Sequence, residues 1–197
     1  YAKGKLIDIG CGEKPYKAMA APYIDEHIGV DHSATLHNKS DIDLFGTAYK
    51  IPSEDNNFDT VLCTYVLEHL EEPGNAIAEA FRVLKSGGYA IYTVPLFWHI
   101  HEEPRDFYRY TKFGIKYLFE KNCFEIIEIN PLSGFVVTFS QELVYFLQYF
   151  RRGGKLNPLW WLIPPIGFFI QALAYIINKI DPTTNFTIEY IWVAKKP

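Results

Sequence analysis

Short apolar runs that end in glycine or proline turns alternate with stretches of helical periodicity through the first 130 or so positions of the chain. Residues 6–9, Leu-Ile-Asp-Ile, form the first run and lead straight into Gly10-Cys11-Gly12, the pattern of a buried strand entering a tight turn. Further strands are expected at 28–30, at 41–44 as a short third strand or its edge, at 58–65, at 89–94 before Pro95, and at 124–129. Between them, Pro15 suits the first turn of a short helix over 15–21 that Pro22 stops. Ile77, Ala80, Phe81 and Leu84 recur at helical spacing within 74–85, with Ser86-Gly87-Gly88 as the stop. Thr111 can cap a helix that runs to about 122. Strands alternating with helices in this way predict an α/β fold around a mostly parallel sheet.

The pattern changes near position 136. Residues 139–150 are an apolar helical stretch, 151–155 (Arg-Arg-Gly-Gly-Lys) a basic break, and 159–178 carry no charge at all. By length the last stretch is a membrane-span candidate. Against a span stand Pro164, Pro165 and Gly167 inside the run, and the alternating residues 187–194, which predict a strand returning to the sheet. A helical hairpin inserted over about 136–182 fits better, either lying shallowly in an interface or serving as a lid or dimer surface. Trp160 and Trp161 beside the basic break match the flanks found at membrane surfaces. Peripheral membrane contact and a homodimer through residues 139–180 are therefore both carried forward.

At 197 residues and 49% apolar content, the chain is expected to be one domain, 1–197, bearing that insertion. A net charge of -4 offers no general attraction to phosphate backbones, so nucleic acid is not expected as a partner. Cys11, Cys63 and Cys123 lie at or inside apolar runs without a CxxC pair, which points to reduced thiols in a cytoplasmic protein. The chain begins at Tyr1 with five residues before the first strand, and truncation at the amino terminus is expected.

Two acids frame the candidate chemistry. Asp8 sits in the first strand, and Asp31 follows Gly12 by 19 residues at the end of the second, the spacing of a ribose acceptor in a βαβ unit. Pro15 stands where a dinucleotide fingerprint has its third glycine, which argues against a nicotinamide or flavin cofactor. The segment 66–70, Val-Leu-Glu-His-Leu, follows a strand's carboxyl end, where open α/β sheets bind ligands. A long loop over 96–110 then gathers His99, His101, Glu102, Arg105, Tyr108, Arg109 and Tyr110. His99, His101 and Glu102 have ligand chemistry, but alternate loop positions fix no coordination geometry, and no metal is expected.

These motifs together resemble the class I S-adenosylmethionine-dependent methyltransferases, in particular the type 11 methyltransferase domain. The likeness covers roughly residues 5–129, with 187–194 matching the final hairpin strand. Its Asp-x-Gly-x-Gly signature is Asp8-Ile9-Gly10-Cys11-Gly12, and its ribose-binding acid matches Asp31. The "Leu-Pro-Phe-x-Asp-x-x-Phe-Asp" segment is recognisable over 51–59, "Leu-Glu-His" is Leu67-Glu68-His69, and "Arg-Val-Leu-Lys-x-Gly-Gly" spans 82–88. Where many relatives carry an acid that meets the adenine amino group, this chain has Thr47.

The resemblance implies a Rossmann-like three-layer fold, with a seven-stranded, mostly parallel sheet and an antiparallel last strand. It implies S-adenosyl-L-methionine as cofactor, held by Asp8, Gly10, Cys11, Gly12, Asp31, His32, Asp43, Leu44, Thr64 and Tyr65. His69, His99 and His101 are the catalytic candidates, and Glu102, Arg105, Tyr108 and Tyr110 the substrate candidates. Methyl transfer would go to an oxygen, nitrogen or carbon of a small-molecule, glycan-intermediate or lipid-like acceptor. The alternative is a non-catalytic binding module of the same fold that docks on a partner or membrane through its apolar insertion.

Overall fold

Leu6, Ile7, Asp8 and Ile9 are all at most 2% exposed, so the strand they form, β1 (Gly4–Ile9), is covered on both faces. That burial makes it the centre of the sheet. It pairs in parallel with β2 (Ile24–Asp31) on one side and β4 (Phe58–Thr64) on the other, while β3 (Leu44–Phe45) extends the β2 edge. The computed structural model describes residues 1–35 and 38–197. With β5 (Leu84–Pro95), β6 (Glu125–Pro131) and β7 (Glu189–Lys195), the described residues build a seven-stranded sheet in the order β3-β2-β1-β4-β5-β7-β6. The chain leaves β1 toward β2 and β3, then returns to β1's other side at β4. Ligands gather beside that reversal.

β7 runs against β5. Gly87 and Gly88, early in β5, exchange backbone bonds with Lys196 after β7, whereas Leu96 and Phe97, beyond β5, bond Ile188 before it. The expected fold class, including the antiparallel last strand, is the one observed. Some boundaries differ. β5 begins at Leu84 with no break after α2 (Pro73–Val83), because Leu84 already has extended dihedrals and pairs opposite Phe58. The expected strand at 41–44 is displaced to Leu44–Phe45, since residues 39–41 turn as a 3₁₀ segment.

Contacts divide the chain into two units. The first holds Tyr1–Pro95, His101–Asn130 and Ile191–Pro197; the second holds Leu96–Ile100 and Pro131–Tyr190, which takes in the expected insertion. In the first unit α1 (Lys17–Ala20), α2 and α3 (Lys112–Lys121) join the sheet. α2 presents Ala76, Ile77, Ala80 and Val83 to the core, and α3 presents Ile115 and Phe119. Phe119 meets Tyr92 and Trp192 edge or tilted, with ring centroids 5.0 and 5.7 Å apart. Thr111 caps α3 as expected, its Oγ1 accepting from the Gly114 amide at 3.1 Å.

The second unit is a helical hairpin of α4 (Phe135–Gln148) and α5 (Leu159–Ile177). The two helices meet where Gly167 approaches Val144, whose Cγ1 would lie 3.2 Å from a Cβ on the glycine. Pro164 and Pro165 do not stop α5; the helix runs through both. Only Ile163, Gly167 and Ala174 of α5 are buried, while Trp161, Leu162, Phe168, Phe169, Leu173, Tyr175 and Ile176 are more than half exposed. By length and composition the stretch Leu159–Ile180 could cross a membrane.

Candidate functional site

The turn after β1 is built on two glycines in left-handed conformations, Gly10 (φ +69°) and Gly12 (φ +49°). The Gly10 amide donates to the Val30 carbonyl at 2.9 Å, tying the turn to the end of β2. A Cβ on Gly10 would stand 2.4 Å from Val66 Cγ2, so no side chain fits there. The Gly12 amide donates to Asp31 Oδ2 at 3.1 Å, and the His32 amide donates to Asp31 Oδ1 at 2.7 Å. Each oxygen of Asp31 has accepted one N–H and retains acceptor capacity.

Beyond these strand ends lies a cleft of about 350 Å³. Gly10, Val30, Asp31 and His32 form one flank, Gly46, Thr47, Ala48 and Tyr49 another, and Val66, His69, Leu70, Glu71 and Arg105 the far rim. Of the expected cofactor residues, Gly10, Asp31 and His32 line it. Thr47, standing where relatives carry an acid, lines it too.

Other expected residues lie elsewhere in the same unit. Asp8 is 2% exposed, and its carboxylate sits 3.0 Å from His27 Nε2; register opposite Leu6 puts His27 on the face that Asp8 shares. Burial pushes the Asp8 carboxyl upward, against the pull of His27. Asp43 accepts from the Gly29 amide and from the buried ammonium of Lys14. Burial raises its pKa, but that bond and the Lys14 charge outweigh it and hold Asp43 low. Cys11 is buried and its thiol pushed up to about 12, chiefly by burial and then by Asp8 and Asp31, so it is an inert packing group. Leu44 is half-buried in β3, Thr64 ends β4, and Tyr65 follows it with φ +55° and 43% exposure.

The polar loop folds back onto the turn after β4. The Phe107 amide donates to the Glu68 carbonyl, the Tyr108 hydroxyl to the Glu71 carbonyl, and the Tyr110 hydroxyl to the Leu67 carbonyl, at 2.8, 2.9 and 2.8 Å. Tyr110 is thereby buried as an anchor. Asp106, its side chain 2% exposed, takes two charge-assisted bonds from Arg109 at 2.6 and 2.8 Å and a third from the His101 amide at 2.8 Å. The guanidinium, ahead of the opposing effect of burial, holds Asp106 well below the usual carboxylate range.

His69 and His101 come together, their rings 4.9 Å apart at 72°. Glu102, largely exposed, reaches to 3.8 Å from His69 Nε2. His99 belongs to the second unit, where it stacks on Trp98, meets Tyr145 at a tilt and lies 4.0 Å from Glu142. Sequence reasoning missed Glu68, which is fully buried with neither carboxylate oxygen hydrogen-bonded to any other described residue. Burial pushes it up to about 7. The signal was present: an acid inside the apolar run Val66-Leu67 that follows β4.

Comparison with known proteins bears on the strands that build this cleft. Residues 7–92 match the family described as a methyltransferase domain. An uncharacterized methyltransferase of Schizosaccharomyces pombe is 34% identical over 104 residues, covering 43% of this chain and 37% of that protein. The chain spans less than half the length of the curated relatives it matches most strongly. Among solved structures, the [4+2]-cyclase SpnF superposes over 99% of this chain and 76% of its own, with a TM-score of 0.64 at 20% identity. A putative methyltransferase from Bacillus halodurans superposes over 100% of this chain and 94% of its own, with a TM-score of 0.62 at 16% identity. These structural likenesses concern the fold.

Proposed function

We propose, from the match of residues 7–92 to the methyltransferase domain family, that this chain transfers a methyl group from S-adenosyl-L-methionine to a small-molecule or lipid-like acceptor. The observation that carries it is the cleft formed by Gly10, Asp31 and Thr47. The residues present fit the cofactor. Asp31 keeps acceptor capacity on both oxygens for two ribose hydroxyls, Gly10 offers backbone where any Cβ would collide with Val66, and Thr47 supplies a hydroxyl on the opposite flank. Once bound, the cofactor supplies an electrophilic methyl group on a cationic sulfonium. The chain's own part is to hold and orient it, which is worth roughly 7–11 kcal/mol where alignment is good. At the far rim, Arg105 and His69 are the groups available to an acceptor, and Glu102 and His101 lie beside His69.

Calorimetry with S-adenosylmethionine and its demethylated product tests this reading. Binding of both is expected, and Asp31→Ala is expected to weaken it roughly 10- to 100-fold, the loss of charge-assisted hydrogen bonds. Undiminished binding by that variant overturns the assignment of Asp31.

A second reading concerns the helical hairpin, which we assign to a lipid surface. Exposed apolar residues of α5 from Leu159 to Ile176 cover an arc of roughly 200° at about 100° per residue. A second copy would cover one face; lipid covers a wide arc. Arg151, Arg152 and Lys155 precede the helix, which suits anionic headgroups, and Trp160 and Trp161 suit the interface. Flotation with vesicles containing phosphatidylglycerol is expected to carry the protein, and Phe168→Ser with Phe169→Ser to abolish this. A concentration-dependent dimer without flotation overturns the lipid assignment.

A further inference from the structure

Glu68, His69 and His101 each offer one ligand atom, and these atoms lie within 4.8 Å of one another. We propose that the three side chains form a binding site for one divalent transition-metal ion. Glu68 supplies the first argument. It has no exposed surface, and neither carboxylate oxygen has a hydrogen-bond partner on any other described residue. Protonation would not satisfy such a group, because a neutral carboxyl still buries an unmet O–H donor and a carbonyl oxygen. A cation satisfies it.

The histidines supply the second argument, independent of the first. His69 Nδ1 lies in hydrogen-bond contact with the Arg105 carbonyl, which can only accept, so Nδ1 carries the proton and Nε2 the lone pair. His101 Nδ1 lies 3.3 Å from the buried Asp106 carboxylate, which Arg109 holds in place. A carbonyl behind one imidazole and a carboxylate behind another are the supports that metal-bound histidines use to fix ring orientation and tautomer. They recur here on residues up to thirty-six positions apart.

Two imidazoles and one carboxylate favour zinc and its first-row neighbours over magnesium or calcium. Bond lengths of about 2.0–2.2 Å put tetrahedral ligand atoms roughly 3.4 Å apart, so an ion would draw the three inward. His101 lies outside the regular elements, with 26% of its side chain exposed. Three protein ligands leave a coordination position open, and His69 borders the cleft. The ion's role rests on the methyl-transfer reading: it would polarise an acceptor hydroxyl at the rim and lower its pKa. Its existence does not depend on that reading.

The test uses tag-free protein, stripped with a chelator and titrated with Zn²⁺ by calorimetry and with Co²⁺ by visible absorption. One equivalent is expected, with d–d bands from Co²⁺. Glu68→Gln and His101→Ala should each abolish the bands, Asp106→Asn should weaken Zn²⁺ binding roughly 10- to 100-fold, and His99→Ala should leave it unchanged. Far-UV dichroism checks each variant's fold, and the half-buried His101 on its loop provides a second variant if Glu68→Gln does not fold. No binding at tens of micromolar, or stoichiometric binding that His101→Ala leaves intact, overturns the proposal. Cofactor binding measured in parallel separates the two ideas. Metal binding without cofactor binding overturns the methyl-transfer reading alone, and the reverse overturns the ion site alone.

Discussion

Of β1 and α5, α5 is the more apolar, yet residues 6–9 of β1 are buried while α5 stands largely open. Ile7 is 0% exposed, whereas Phe169 is 69% exposed. Hydrophobicity drives burial without naming the partner: parallel neighbours bury β1 in the chain itself, while α5 is left with α4 and solvent. The buried residues of β1 therefore stabilise the fold, whereas the outer face of α5 contributes little to it.

The sharpest way to break this contrast is to truncate one residue of each kind. Ile7→Ala should cost about 2–5 kcal/mol in denaturant unfolding, the usual penalty for a buried large-to-small change. A cost below about 1 kcal/mol would mean that β1 is not the centre of the core. Next in size is Glu189, which lies in the second unit and is pushed up to about 7 by burial. A carboxyl whose folded pKa exceeds its ordinary 4.5 contributes stability below that value and loses it as pH rises through about 7. Glu189→Gln should thus raise stability at pH 8 by about 1–3 kcal/mol and by little at pH 4. An equal gain at both values would show that ionisation is not the cause. Smallest should be Phe168→Ser with Phe169→Ser, which should shift the unfolding free energy by no more than about 0.5 kcal/mol per site while removing vesicle binding. A loss as large as that of Ile7→Ala would show the hairpin's outer face to be core after all.

The same contrast explains what could be read in the sequence. β1, its glycine turn and Asp31 were legible because strand period, left-handed glycines and the acid after β2 are local signals tied to one supersecondary unit. The run of α5 was legible too, apart from its prolines. The start of β5 was not, because Gly87 and Gly88 look like a helix stop, while Leu84 pairs with Phe58 and the two glycines bond Lys196, which makes the stretch a strand. Asp8 and Asp43 carried the right chemistry for a cofactor, but His27 and Lys14 engage them first. Those partners come from β2 and the turn before α1, and no local pattern announces them. The loop's polar residues were legible as a group; their division into anchors such as Tyr110 and Asp106 and rim groups such as Arg105 depends on contacts distant in sequence.

Pro164 and Pro165 set a depth gauge in α5. Neither has an N–H, so the carbonyls of Trp160 and Trp161 cannot receive the helical bonds due to them and call for water instead. In a lipid layer that demand would moor the helix's opening turn among hydrated headgroups, where the two indoles also prefer to lie. Below it remain residues 166–177, about 12 residues at about 1.5 Å each, or roughly 18 Å against a hydrocarbon thickness of about 30 Å. On the lipid-surface reading proposed above, the length of helix beyond the prolines falls short of a full hydrocarbon layer.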